Sequence, residues 1–217
     1  MPIYTNILDF YDNYSRKRIK KSEYDYTTHF NNAIENTKEL NLDVPDFKFD
    51  NQFKSFENET ARNDIRNTIH NAVYKNQQEL LALNCFYFAE RAQISLKREL
   101  NINSVLTLGS FSDDGTKMFY ESLKKLKYRL KHKEFVTNGI NLHAWLTLPD
   151  YRIIDVTILS ALKLFGKFPE IDYRNFYYLN SLNQNGNNGG FSYHPIFIGN
   201  DYLKKINLKP KLIGLVN

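Results

Sequence analysis

Between Asn141 and Thr157 the chain sets two strand-length apolar runs on either side of Pro149-Asp150. Runs of that length around a Pro-Asp turn signal read as a β-hairpin. Strand side chains alternate, so Ala144, Leu146 and Leu148 share one face and His143, Trp145 and Thr147 the other. On the second strand Ile154, Val156 and Ile158 form a wholly apolar set, while Ile153, Asp155 and Thr157 form a mixed one. Bringing the apolar sets together requires a loop with an odd number of residues, such as Pro149 to Tyr151. A slip of one residue would turn Asp155 onto the apolar face. In the favoured register Asp155 opposes Trp145 and is the diagonal neighbour of His143, with Cβ atoms about 7–8 Å apart or less. A carboxylate at that range can bond one imidazole nitrogen and leave the other free, which is how a general base is oriented.

The first third of the chain is expected to be mainly helical. Ile3, Ile7, Phe10, Tyr11 and Tyr14 follow helical spacing, and Ser22 to Leu40 suits a second helix. Asn41-Leu-Asp-Val-Pro45 interrupts it, Asp46 to Phe56 reads as a Phe-rich packed loop, and helical periodicity resumes from Asn58 to Tyr74. His29 and His70 stand alone on helical patterns and read as surface or packing residues. Residues 1–75 are therefore expected to form a helical N-terminal lobe or extension, and 76–217 the core of the fold.

Cys85 falls in a segment with two parses. If Asn84 caps a new helix, Cys85 sits in its first turn, where free N–H groups and the dipole favour a thiolate. If one helix runs from Leu80 to Leu100, Cys85 lies in its interior as an inert buried thiol. Beyond it, Val105 to Gly109 reads as a strand and Ser110 to Gly115 as a turn-rich connector. Lys117 to Lys133 reads as a basic amphipathic helix. Leu159 to Phe165 either continues the hairpin strand or forms a short helix. Phe168 to Leu182 is aromatic and irregular, Asn183 to Gly190 is loop, Phe191 to Ile198 is a strand, and Leu212 to Val216 a weak last one. The layout is α+β: N-terminal helices, then a Cys-bearing helix packed on a mostly antiparallel sheet.

With one cysteine, no intramolecular disulfide and no multi-cysteine metal site can form. A zinc site from Cys85, His143, Asp155 and His194 is possible by ligand type, but no short-spaced ligand pair supports it. No metal or cofactor is expected. The net charge of +5 is mild, and the densest basic runs, Arg16 to Lys21 and Lys124 to Lys127, are short. That argues against nucleic acid as the main partner. No apolar run approaches the ~18 residues of a membrane span, and the N-terminus lacks the pattern of a secretory signal. A cytoplasmic location is the default expectation.

Cys85 on a helix, a strand opening His143-Ala-Trp and an Asp155-Val-Thr on the next strand resemble the transglutaminase-like branch of the papain-like cysteine enzymes. The Cys, His-Ala-Trp order is also similar to that of the leader peptidases of lasso-peptide pathways. The resemblance covers roughly residues 77–158. It implies Cys85 as nucleophile, His143 as base and then acid, and Asp155 as the residue orienting His143. A peptide or protein amide would be attacked by the thiolate, and the thioester released to water or an amine. It also implies an oxyanion donor beside the cysteine N–H, with Gln77, Gln78 and Asn84 as candidates.

Two other readings compete. A catalytically inactive module would present Tyr173, Phe176, Tyr177, Tyr178, Phe191 and Tyr193 to a protein partner. A nucleic-acid-associated domain would use the Lys117 to Lys133 helix.

Overall fold

A computed structural model describes residues 25–50, 53, 58–75, 78–113, 116–132, 140–179 and 191–208. The helix expected over 3–14, Gln77, the 183–190 loop and the strand expected over 212–216 lie outside the described residues, as do the side chains of Tyr177 and Tyr178.

The described elements run in the order α1 (Tyr26–Glu39), α2 (Glu59–Val73), α3 (Gln78–Leu83), α4 (Cys85–Leu100), β1 (Val105–Asp113), β2 (Thr116–Met118), α5 (Leu123–His132), β3 (His143–Thr147), β4 (Ile153–Asp155), α6 (Ile158–Leu164), β5 (Tyr177–Leu179), β6 (Phe191–Ile198) and α7 (Asp201–Lys205). The fold is α+β, with an antiparallel six-stranded sheet. β6 pairs β1 from Thr107 to Asp113. That span overlaps both β3, which pairs Val105 to Gly109, and β2, which pairs Phe111 to Asp113. β2 and β3 therefore follow one another along the opposite edge of β1. His143, the first residue of β3, lies at the junction where one gives way to the other.

The hairpin keeps the expected register. Leu146 pairs with Ile154 and Thr147 with Ile153, which sets Asp155 opposite Trp145. Pro149 to Tyr151 form the loop: Leu148 N–H bonds Arg152 O at 2.8 Å, and Tyr151 takes the left-handed conformation at φ 63°. A three-residue loop closing on a left-handed position is a common hairpin solution.

One sheet face buries Leu106, Leu108, Ala144, Leu146, Ile154 and Val156 in a core shared with Ile65 and Ile69 of α2 and Phe88 and Leu96 of α4. The other face buries Val105, Phe111, Trp145, Ile153 and Tyr193 with Tyr26 and Phe30 of α1 and Leu162 of α6. α1 also covers β6, whose backbone would otherwise be an open edge. Asn36 Nδ2–H bonds the carbonyl of Ile196 at 3.2 Å, and Thr37 Oγ1 accepts from Ile198 N–H at 3.0 Å. Ile196 is the extra residue of a bulge where Gly109 pairs with Pro195 and Leu108 with Phe197.

Four expectations are corrected. Ser110 to Asp113 belong to β1, because pairing with β6 extends the strand through them. Lys117 and Met118 belong to β2, and the basic helix begins only at Leu123, with Lys125 N–H capped by Ser122 Oγ at 3.3 Å. The second hairpin strand stops at Asp155, and Ile158 opens α6 and packs on the face opposite Ile154 and Val156. The aromatic stretch after Phe168 contains β5, and a further short helix, α7, follows β6.

Candidate active site

Cys85 is the first residue of α4, because the chain breaks at Asn84 rather than running on from α3. Asn84 has φ −129° and ψ 43°, and its carbonyl accepts the first helical bond, from Phe88 N–H at 3.1 Å. Its side chain does not cap the helix. It turns back and donates from Nδ2 to the carbonyl of Leu80 at 2.9 Å. The backbone N–H groups of a helix's first turn have no partner within the helix, and Cys85 stands in that turn.

His143 and Asp155 meet as the register requires. His143 Nε2–H donates to Asp155 Oδ2 at 2.5 Å, with His143 2% and Asp155 0% exposed. The Cys85 thiol lies close enough to the same imidazole to help hold its proton. Since Nε2 is committed to Asp155, Nδ1 is the nitrogen left for the sulfur. Cys85 is 7% exposed, and its Sγ lies 3.9 Å from the carbonyl oxygen of Leu142, the residue before His143. The three residues named from the sequence thus converge. Burial works against a charge on His143, but the Asp155 carboxylate, as charge and as acceptor, and then Cys85 outweigh it and raise the ring from 6.5 to about 10.

Asp155 is held by its own chain as well. Its Oδ1 accepts from Thr157 N–H and Ile158 N–H, both at 3.0 Å, and from Thr157 Oγ1 at 3.4 Å. The carboxylate thereby satisfies the opening amides of α6, a local turn that Asp favours. This is why the strand ends there, and why the spacing Asp-x-Thr has a structural meaning beside its chemical one. Tyr74, just after α2, donates from its hydroxyl to the carbonyl of Val156 at 3.0 Å and anchors the same turn.

Aromatic rings fix the imidazole. Phe119 stacks on His143 with centroids 5.0 Å apart and planes 24° apart, and Trp145 does so at 6.2 Å and 30°. Phe119 adopts φ 52°, a left-handed conformation that costs a bulky residue about 1–2 kcal/mol. Tyr193, fully buried on β6, donates from its hydroxyl to Asp155 Oδ2 at 2.9 Å. Sequence reasoning missed Phe119 as a site residue and placed Tyr193 on a contact surface. The only signal for Tyr193 was its place on a strand, where alternation aims it and His194 to opposite faces.

His194 stands apart from this group. Its Nε2 pairs with Ser112 Oγ at 2.9 Å, and its ring meets His29 edge-on at 5.7 Å. Among the described residues, no group of three or more His, Cys, Asp or Glu is arranged to hold a metal ion. No described helix is long and apolar enough to cross a membrane. The basic helix α5 spends much of its charge internally. Lys125 and Arg129 pair with the buried Glu121 at 2.7 and 2.8 Å, and Lys127 pairs with Glu39 at 3.5 Å.

No family model matches the chain, and neither a curated protein nor a solved structure does.

Proposed function

We propose that the protein is a thiol-dependent enzyme that hydrolyses or transfers an acyl group at an amide. Cys85 is the nucleophile, His143 its base and then acid, and Asp155 the carboxylate that orients His143. The observation that carries the reading is one buried imidazole held at Nε2 by Asp155, with the Cys85 sulfur beside it, 3.9 Å from the carbonyl oxygen of the preceding residue. An imidazolium beside a sulfur favours the reactive thiolate, and first-turn amides, which have no partner within the helix, suit an oxyanion as donors.

In this mechanism the thiolate attacks the acyl carbon, and His143 delivers its proton to the leaving amine. The thioester is then released to water or to an acceptor amine that His143 deprotonates. The substrate class is a peptide or protein amide. The nearness of Cys85 to His143 favours this reading over an inactive binding module, and burial of Tyr193 removes one ring from the surface such a module would use.

A small alkylating probe with mass mapping of the labelled residue tests it. Wild type is expected to label at Cys85 at a rate nearly flat between about pH 6 and pH 8. His143→Ala is expected to show the ordinary rise of roughly tenfold per pH unit of a free thiol below its pKa. A wild-type rate that climbs as steeply as the variant's would refute the activated pair.

A further inference from the structure

We propose that Tyr193 is a fourth, positioning member of this site: its hydroxyl divides Asp155 Oδ2 between two donors and so sets both the direction of the His143 ring and the strength with which that ring keeps its proton. The inference takes its functional meaning from the thiol chemistry proposed above, but its measurement does not depend on it.

The two oxygens of the Asp155 carboxylate are both used as acceptors. Oδ1 of Asp155 is occupied by donors from its own turn, Thr157 N–H, Ile158 N–H and Thr157 Oγ1. Oδ2 faces away from that turn and accepts two bonds, one from His143 Nε2–H and one from Tyr193 Oη–H. A single donor on Oδ2 would leave the carboxylate free to pivot about Oδ1. Two donors arriving from different strands, β3 and β6, remove that freedom. Packing alone does not require the hydroxyl. The Tyr193 ring meets Trp145 at 5.0 Å and Phe111 at 5.2 Å through its carbon framework, contacts that phenylalanine would reproduce.

The electrostatic consequence has a definite sign. The positive end of the Tyr193 O–H dipole points at the carboxylate and offsets part of its negative potential. It stabilises the bare carboxylate most when His143 has lost its proton, because the imidazolium is then absent. Removing the hydroxyl therefore makes deprotonation of His143 harder. The titratable and charged groups around the ring are Asp155 from β4, Cys85 from α4 and Tyr193 from β6, with Tyr74 acting on Asp155 from the end of α2. Of these, only Tyr193 changes in the test.

The test is titration of the His143 imidazole by NMR in full-length Tyr193→Phe and in wild type, with His143→Gln to assign the signal. The midpoint in Tyr193→Phe is expected to move upward, by about half a unit or more. The alkaline limb of Cys85 alkylation is expected to move with it. An unchanged or lowered midpoint in a folded variant overturns the proposal and leaves Tyr193 as packing. If Tyr193→Phe does not fold, 3-fluorotyrosine placed at position 193 supplies a stronger donor. A midpoint lowered by that replacement supports the proposal, and an unmoved one overturns it. Failure of the thiol reading shows separately, as ordinary pH dependence of Cys85 alkylation in wild type.

Discussion

The indole N–H of Trp145 donates to the hydroxyl of Tyr26 at 2.8 Å, which ties the first residue of α1 to the strand that carries His143. The Tyr26 hydroxyl also shares a hydrogen bond with Thr147 Oγ1 at 2.6 Å, and Thr147 shares one with Thr107 Oγ1 at 2.7 Å. Thr107 completes the run by donating to Val105 O at 3.4 Å. The bonds form a one-way chain in which every hydroxyl both accepts and donates, and all four side chains are buried. Burial raises the Tyr26 phenol, while Thr147, Trp145 and Thr107 pull the other way, so the group stays neutral at any ordinary pH.

Tyr26→Phe is therefore expected to leave the Trp145 N–H without its acceptor in an apolar layer and to take from Thr147 one of its two hydroxyl partners, Thr107 remaining. An orphaned buried polar group costs about 1–3 kcal/mol, and the lost Tyr26–Thr147 bond adds to it. A loss of about 2–3 kcal/mol in urea unfolding, at unchanged m, is the expected outcome. A loss within the ~0.5 kcal/mol of ordinary surface changes would show that the chain does not hold α1 to the sheet.

Much of the site was legible because burial on one face leaves a hairpin only one workable register. His143 and Asp155 are twelve residues apart, and alternation alone carries the argument from one to the other. The break before Cys85 was legible only as an alternative, since Asn84 suits both a cap and a helix interior. The failures share a cause. Ser110, Ser112 and Asp113 look like turn residues, and pairing with β6 overrides that local preference. Ile158 fits the strand alternation, but Asp155 captures the next amides and starts a helix. Contacts between distant segments, Tyr193 to Asp155 and Tyr26 to Thr147, leave no local pattern to read.

Gly109 is a second point where the site depends on its scaffold. It lies opposite His143 in β1, at the bulge against Pro195. A Cβ there would collide with the carbonyl oxygen of His194 and sit 2.8 Å from Trp145 Cη2. The carbonyl belongs to a paired strand and cannot yield without opening the β1–β6 ladder. Gly109→Ala is expected to cost more than about 4 kcal/mol, or to abolish folding, as measured by thermal melting and soluble yield. A near-native melting temperature would mean that the two strands separate there at little cost.

Substitutions at Asp155 should separate its two duties. Asp155→Ala removes the acceptor of His143, Tyr193 and the opening amides of α6 together, so stability is expected to fall by about 3–5 kcal/mol. Asp155→Asn can keep an oxygen toward Thr157 and Ile158 while presenting an N–H₂ to His143. It is expected to retain most of the stability and to lose the flat pH profile of Cys85 alkylation. Comparing the two by urea unfolding and alkylation rate is decisive. Equal destabilisation would place the dominant role of Asp155 in the His143 pair rather than in the start of α6.

Two histidines should set opposite slopes in the pH dependence of stability. His143 is raised in the folded state from 6.5 to about 10, so folding retains a proton that the unfolded chain releases. Its contribution is complete below about pH 6.5 and is lost as pH rises toward 10. His194 is lowered to about 3, because burial disfavours its charge and His29 and Lys117 repel it. The unfolded chain there binds the proton more readily, so stability is present above about pH 6.5 and is lost as pH falls toward 3. His29, also lowered by burial, adds to the acid side, against the opposing pull of Asp25. Each fully developed slope is about 1.4 kcal/mol per pH unit. Urea unfolding across this range is expected to show His143→Gln flattening the alkaline side alone. His194→Gln, which keeps a polar partner for Ser112, is expected to flatten the acid side alone. An alkaline slope that survives in His143→Gln would mean that the proton retained on folding belongs to another group.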